Sequence, residues 1–305
     1  MASATLCGRT PMSRLHADIL LLFTAAIWGV AFLFQKSAAA HIGPLTFLAM
    51  RGLVAFLALA PLAWREGRRA PAPARVDFYL TSCLGGVAFL VAGWLQQAGL
   101  ETATVTNTGF LTALYVVMTP LIVLCWSGKM PNVLVWPAVA MSALGTWLLG
   151  GGSLSAFSPG DLMVAISAFF WAVQVVITAS ASRYRRPIAF TCLQFAVVAA
   201  LAGSAALMLE PVDLAGLRAT AVDIAFVGLL SSALTFTLLT VAMQHTPPSE
   251  AAIIVGTETL FAAAAAYLWL GERLSAIGWV GALLILSASL LVQLGAAGDY
   301  RRKGP

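Results

Sequence analysis

Two charged side chains, Arg51 and Glu258, interrupt long apolar stretches of the sequence. Arg51 lies about seven residues into its stretch and Glu258 about nine, roughly 10 and 13 Å deep at the rise of an α-helix. A charge in the hydrocarbon core of a bilayer costs roughly 2.5–3.5 kcal/mol, and such residues usually face a cavity and find a partner. A carboxylate there can carry a proton or capture a cationic group, and a guanidinium can anchor a carboxylate. Arg51 and Glu258 are therefore the first candidates for substrate binding or coupling.

Both residues also have a structural interpretation. Glu258 would then accept hydrogen bonds from neighbouring helices, and Arg51 would bond backbone carbonyls or extend its charged head towards the membrane surface. A salt bridge between the two requires their helices to approach each other, and the sequence leaves this open.

Polar and aromatic side chains at helical spacing form a second group of candidates. Thr108 and the polar residues 4, 7 and 11 positions later share one helix face. Such a stripe either lines an aqueous path or joins helices through hydrogen bonds worth about 0.6 kcal/mol each. Trp28 and Trp171 lie far from the membrane interfaces where Trp is normally enriched. They could form aromatic walls around a substrate or could be packing residues. These candidates are Trp28, Gln97, Thr112, Tyr115, Trp171, Gln174 and Thr240.

The composition places all of these residues in a membrane. The 305 residues are 60% hydrophobic and 10% charged, whereas soluble domains are about 45–50% apolar and about 25% charged. So few charges could not cover the surface of a soluble protein, which excludes a cytosolic enzyme and a nucleic-acid binder. The net charge of +5 is instead explained by basic cytoplasmic loops, and the lipid bilayer is the predicted partner.

Ten apolar segments are long enough to be transmembrane helices, since a bilayer core requires roughly 20 apolar residues per helix. The sequence therefore predicts an all-α integral membrane fold. The predicted segments lie near 17–35, 45–64, 78–98, 104–126, 133–150, 161–180, 188–209, 222–243, 250–270 and 276–294.

The distribution of Lys and Arg predicts the orientation. Thirteen of the 17 basic residues fall in the N-terminal tail (1–16), in every second loop after it and in the C-terminal tail (296–305). Three fall on the opposite side, and Arg51 lies inside a segment. Because cytoplasmic loops carry the excess of positive charge, both termini are predicted in the cytoplasm, with the chain in the inner (plasma) membrane.

An internal repeat appears when the sequence is aligned with itself so that Asp18 falls on Asp161. At this one offset the matches also include Trp28–Trp171, Pro44–Pro187, Gly85–Gly228 and Trp126–Trp269. These matches divide the chain into two five-helix repeats, 17–150 and 161–295. Because five is an odd number of crossings, the second repeat is expected to start on the opposite side of the membrane and to be inverted. Inverted repeats around a central site are typical of secondary transporters. The repeat also predicts that the first apolar run is a retained helix rather than a cleaved signal peptide.

Several motifs resemble those of the drug/metabolite transporter superfamily, in its EamA-domain branch of ten-helix proteins. The matching residues are 26–32, Pro44, Arg51, 98–102, 244–252, Glu258, Phe261, 271–275, Gly278 and Gly281. The resemblance implies two five-helix halves around a central cavity that moves small metabolites or drug-like compounds, often outward. The family often has Glu-Pro in the ninth helix, whereas Thr259 follows Glu258 here, which puts a kink at this place in doubt.

The predicted function is a secondary active transporter of small organic metabolites or drug-like solutes, an exporter that works by alternating access. Transport is predicted to be coupled to the proton or to another gradient, and the protein to be a monomer or homodimer. No cofactor, metal site or enzymatic activity is predicted, because the sequence lacks an H-E-x-x-H motif and paired intramembrane carboxylates. The run 150–153 also lacks the Lys of a phosphate-binding loop. The alternative is a flippase for lipids or lipid-linked headgroups, or a membrane scaffold subunit.

Overall fold

A computed structural model describes residues 12–69, 76–128, 130–149, 158–211, 213–271, 273 and 275–303. The predicted tail up to residue 11 and the run 150–153 lie outside these residues. The described residues are mostly helical, and none of them forms a β-strand. Its helices are α1 (Arg14–Ala39), α2 (Pro44–Arg69), α3 (Val76–Gly99), α4 (Val105–Thr112), α5 (Tyr115–Ser127), α6 (Val135–Leu149), α7 (Pro159–Ser182), α8 (Pro187–Leu209), α9 (Leu214–Ala219), α10 (Ala221–Phe226), the π-helical π1 (Val227–Leu234), α11 (Thr235–Ala242), α12 (Pro248–Val255), α13 (Glu258–Leu270) and α14 (Ala276–Lys303).

Eight helical segments in the described ranges are long and apolar enough to cross a membrane. Three of them are composite: α4 continues into α5, α10 and π1 into α11, and α12 into α13. Two further apolar helices, Val135–Leu148 and Ala276–Val292, are shorter. The predicted all-α membrane fold is confirmed at this level, whereas ten crossings stay a prediction.

Helices α2 and α8 form the most extensive helix pair, and a carboxylate closes it at each end. Glu66, near the end of α2, accepts a hydrogen bond from the backbone N–H of Ala189 at 2.8 Å. Glu210, just after α8, accepts from the backbone N–H groups of Leu45 and Thr46 at 2.8 Å each. The first N–H groups of a helix lack intrahelical partners, and an anion near them is favourable. Each helix of the pair therefore caps the start of the other.

Small residues bring two other helix pairs into close contact. A Cβ atom added at Gly145 in α6 would lie 2.7 Å from the carbonyl oxygen of Gly281 in α14. One added at Gly29 in α1 would lie 2.6 Å from the carbonyl oxygen of Glu258 at the start of α13. Glycine at such positions allows helix backbones to approach, so α1 lies directly against the residue that carries the buried carboxyl.

The composite segments α4–α5 and α12–α13 each contain one tightened turn. The N–H of Val117 bonds the carbonyl of Leu114 at 3.1 Å, and the N–H of Leu260 bonds that of Thr257 at 3.0 Å. These bonds reach back three residues instead of four, as in a 3₁₀ helix. The two turns occupy equivalent positions of the sequence repeat. The second contains Thr259 where the family often has proline, so the Glu-Pro sequence is not required for it.

Segment π1 has no counterpart in α3. The equivalent residues of the first repeat, which include Gly85, lie within α3, and this helix is α-helical from Val76 to Gly99. Short π-helical segments occur frequently at functional sites, and π1 provides two serines to the centre of the molecule.

Candidate functional site

A small cavity of about 40 Å³ lies in the middle of the helical bundle. Helices α1, α2, α3, α4, α5, α7, π1, α11 and α13 all contribute to its walls. Seven of the nine residues singled out from the sequence line it: Trp28, Arg51, Thr112, Tyr115, Trp171, Gln174 and Glu258. Pockets for small molecules are about 300–1,000 Å³, so this cavity is smaller than a pocket that encloses a small organic molecule.

Gln97 and Thr240 are buried but do not line the cavity. The Nε2 amide of Gln97 donates to the backbone carbonyl of Gln35 at 2.9 Å, and the Thr240 hydroxyl donates to the carbonyl of Phe236 at 2.7 Å. Gln96 faces the cavity in place of Gln97, and its amide donates to the Thr112 hydroxyl at 2.8 Å. Adjacent helical residues point about 100° apart, and the sequence does not show which of two neighbouring glutamines faces inward.

Six further lining residues were not singled out as site residues. They are Phe32, Gln35, Gln96, Val175, Ser231 and Phe236. Helical spacing places Gln35 on the same face of the first helix as Trp28, seven residues earlier, and could also have found Phe32, four residues after Trp28. Ser231 had no such signal, since it faces the cavity from the π-helical segment.

Arg51 is buried in the wall of the cavity, 3% exposed. Its Nε atom donates to the Ser232 hydroxyl of π1 at 3.0 Å. Its guanidinium carbon lies 5.1 Å from the ring centroid of Phe89 and 5.9 Å from that of Phe47, within the range of cation–π attraction. Two aromatic rings and one hydroxyl therefore fix the position of the guanidinium.

Glu258 is the first residue of α13 and is 2% exposed. Within the described part of the chain, its Oε1 atom is buried without a hydrogen-bond partner, and so is the hydroxyl of Tyr115. The two side chains are close enough to interact electrostatically. Tyr115 is the first residue of α5, so the two side chains hold equivalent positions of the sequence repeat, each within a tightened turn.

Arg51 and Glu258 line the same cavity but make no salt bridge with each other. This answers the question that the sequence left open. A buried charge without a partner is costly, and removing it from water is repaid only by good electrostatic complements. The cavity therefore contains a guanidinium and a carboxyl group that do not pair with each other, and the described residues provide no salt-bridge partner for either.

The two central tryptophans differ in their hydrogen bonding. The indole N–H of Trp28 donates to the Thr235 hydroxyl at 2.8 Å and to the carbonyl of Ser231 at 3.0 Å. The indole N–H of Trp171 is buried with no partner among the described residues. The Trp171 ring packs edge-on against Phe89, with 5.1 Å between centroids. The indole N–H of Trp28 is thus used in helix packing, as the packing interpretation predicts. The rings of both tryptophans form aromatic walls of the cavity.

A second and larger cavity, of about 470 Å³, lies at one end of the bundle. We call this end the basic end, because α1 begins there at Arg14, and α2 and α7 end there next to Arg68 and Arg183. The cavity lies between the end of α5, the connection to α6, the end of α7 and the start of α12. Along α7, Gln174 and Val175 line the central cavity while the next turn lines the larger one, so the two cavities follow each other towards the basic end.

An ionic network lies at the rim of the larger cavity. The guanidinium of Arg14 pairs with Glu250, which lines this cavity, and its Nε lies 3.2 Å from Asp18. The Thr246 hydroxyl donates to Asp18 at 3.1 Å. The network joins the start of α1 to the start of α12.

The fold and the cavity define a multi-span helical membrane protein with a polar and aromatic centre. Residues 15–151 and 158–294 each match the EamA-like transporter family, and the chain belongs to that family. The resemblance noted in the motifs is thereby confirmed, and the protein is a membrane transporter.

Similar proteins extend over nearly the whole chain. An uncharacterized transporter of Archaeoglobus fulgidus is 27% identical over 299 residues, covering 94% of this chain and 89% of that protein. A second uncharacterized transporter of the same organism is 29% identical over 171 residues, which is 54% of this chain and 57% of that protein. A solved crystal structure superposes with a TM-score of 0.75 at 17% identity, over 96% of this chain and 100% of that one, which shows the shared fold.

Proposed function

We propose that the protein is a secondary active carrier that moves small organic solutes through the central cavity by alternating access. The observation that supports this proposal is the pair of buried ionisable side chains, Arg51 and Glu258, which line one cavity without forming a salt bridge with each other. Ionisable residues inside the membrane usually mark a substrate or ion pathway. Membership of a transporter family favours a non-enzymatic role.

The carrier we propose has ten crossings in two inverted five-helix repeats, 17–150 and 161–295. The two family matches, 15–151 and 158–294, have the same length and the same offset as Asp18 and Asp161, which supports a duplicated unit. The tightened turns at Tyr115 and Glu258 and the reciprocal caps of α2 and α8 support a two-fold relation between the halves. With cytoplasmic termini in the inner membrane, the basic end faces the cytoplasm.

The two cavities suggest a path for export. A solute would enter the larger cavity from the cytoplasm and pass along α7 into the central one, which must widen from about 40 Å³ to hold it. Widening requires one group of helices to move against another. We assign the fixed part to α2 and α8, because carboxylate caps hold both ends of this pair.

Glu258 is the coupling residue in this proposal. Its Oε1 atom has no hydrogen-bond partner among the described residues, which leaves this atom available to a proton or to a cationic group of the solute. Tyr115, across the proposed two-fold axis, is close enough to bond the carboxyl in one of its states. Proton movement through the central cavity would then depend on the Glu258 side chain, because the other charged residue among its described lining residues is a guanidinium that stays protonated.

The test compares Glu258→Gln with the matched Glu101→Gln in proteoliposomes under an imposed proton gradient. Glu101 lies exposed outside the cavity. Untargeted metabolite profiling of overexpressing cells supplies the solutes to load. We expect gradient-driven transport to fall at least tenfold in Glu258→Gln, while both variants insert and fold. Full activity of Glu258→Gln would remove the residue from the mechanism.

Translocation of labelled lipid headgroups without solute counterflow in the same vesicles would establish the flippase alternative instead.

A further inference from the structure

The central cavity contains a positive charge that no described side chain neutralises. We propose that Arg51 is the binding site for an anionic group of the transported solute, a carboxylate or a similar small oxyanion. This assignment rests on the carrier function proposed above and specifies its substrate class.

The hydrogen bonding of Arg51 leaves most of its donors free. A guanidinium has five N–H donors and no acceptor. Among the described residues, Arg51 makes one hydrogen bond, from Nε to Ser232, and no acidic side chain lies within salt-bridge distance of it. The two terminal nitrogens, which form the planar fork that binds carboxylates in bidentate geometry, are therefore unused.

The surroundings of Arg51 hold it in place rather than neutralise it. Phe47 and Phe89 attract the guanidinium through their rings, which orients the charge but brings no counter-charge. A purely structural arginine at this depth would be expected to bond backbone carbonyls or a carboxylate. The guanidinium is therefore held in a fixed orientation while its charge stays unpaired, as a preorganised anion site requires.

The charge belongs to one half of the molecule alone. The residue equivalent to Arg51 in the second repeat is Gln194, which is also buried and accepts a hydrogen bond from the amide of Gln174 at 3.1 Å. Because Gln194 is neutral, Arg51 has no cationic counterpart in the second repeat, and Arg51 is the one cationic residue among the described lining residues of the cavity. An anionic group would therefore bind in one orientation, with the remainder of the solute directed at the aromatic walls and Glu258.

The probes for the test differ only in their charged groups. Leucine carries both a carboxylate and an ammonium, isocaproate lacks the ammonium, isoamylamine lacks the carboxylate and isoamyl alcohol is uncharged. Binding to purified full-length protein is followed by the rise in its thermal unfolding temperature and by titration. The variants are Arg51→Gln, Arg51→Lys and the control Arg68→Gln, which removes an equal charge from an exposed guanidinium beside Trp64.

We expect leucine and isocaproate to bind the wild-type protein and Arg68→Gln more tightly than the two probes without a carboxylate. In Arg51→Gln the advantage of the carboxylate should fall by about 10- to 100-fold, the range for hydrogen bonds to charged groups. Arg51→Lys should retain part of it, which also keeps the test valid if the glutamine variant does not fold.

Two outcomes would overturn the anion site: equal binding of all four probes by the wild-type protein, or a carboxylate preference that survives in Arg51→Gln and Arg51→Lys alike. The carrier function fails separately. Carboxylate binding without any solute flux in vesicles would retain the anion site and reject the carrier, and solute flux without carboxylate preference would do the reverse.

Discussion

Carboxylates occur in two contrasting settings in this protein. At the α2–α8 pair, Glu66 and Glu210 each bind the free N–H groups at the start of a helix. In the central cavity, Glu258 has a buried oxygen without a partner among the described residues. All three side chains are carboxyl groups, but those of Glu66 and Glu210 cap helices, whereas that of Glu258 has an oxygen available to a ligand. The difference separates residues that stabilise the bundle from residues that can serve a solute.

The largest expected effect on stability is at the α2–α8 pair. Glu210→Ala would leave the N–H groups of Leu45 and Thr46 and the Thr46 hydroxyl without their acceptor. We expect a loss of about 0.5–2 kcal/mol in the free energy of unfolding, the usual cost of removing the cap of a helix start, with unchanged solute selectivity. Thermal unfolding in detergent and transport by the surviving folded protein measure the two quantities.

The control for this variant is Glu101→Ala, which removes an exposed carboxylate outside the helix pair. It should change the unfolding temperature little. A shift of solute selectivity in Glu210→Ala would show that the α2–α8 pair belongs to the transport machinery, and the contrast between the two settings would then be wrong.

The sequence predicted the central charges but not the capping carboxylates. Arg51 and Glu258 stand out because a charge in an apolar run is rare, whatever the tertiary structure. Glu66 and Glu210 lie near helix ends, where acidic residues are ordinary, and their partners lie in the other half of the chain. Pairing of that kind depends on how helices pack against each other, and the amino-acid sequence alone does not reveal this.

Local geometry set a second limit on what could be predicted. The polar spacing identified the faces of Trp28, Gln174 and Thr112 because a regular helix repeats every 3.6 residues. Segment π1 breaks that period, so the inward position of Ser231 and the bond from Arg51 to Ser232 had no counterpart in the pattern.

The two tryptophans offer an intermediate effect within the cavity itself. Trp28→Phe removes an indole N–H that makes two hydrogen bonds, whereas Trp171→Phe removes one without a partner among the described residues. We expect Trp28→Phe to lower the free energy of unfolding by about 1 kcal/mol, and Trp171→Phe to leave it unchanged or raise it. Trp171→Phe should instead change the apparent affinity for solute, because the substitution removes an indole N–H that is available to bind a solute.

Thermal unfolding and concentration dependence of transport, measured on both variants, decide between these roles. If Trp28→Phe proved neutral for stability while Trp171→Phe were destabilising, the hydrogen-bond assignment of the two indoles would have to be reversed.

The smallest effects are expected from two threonines that the sequence treated alike. The Thr240 hydroxyl bonds the carbonyl of Phe236 within its own helix, and this carbonyl accepts a backbone bond in a regular helix as well. Thr240→Val should therefore cost about 0.5 kcal/mol, at the low end for a single hydrogen bond, and leave transport unchanged. Thr112→Val removes the acceptor of the buried Gln96 amide inside the cavity, so it should reduce solute affinity with a comparable or somewhat greater loss of stability. The two substitutions are chemically identical, so transport by the two variants can be compared directly. Equal transport by both would mean that Thr112 acts as a packing residue although it lines the cavity. A transport defect confined to Thr112→Val would place both Thr112 and Gln96 in the solute pathway.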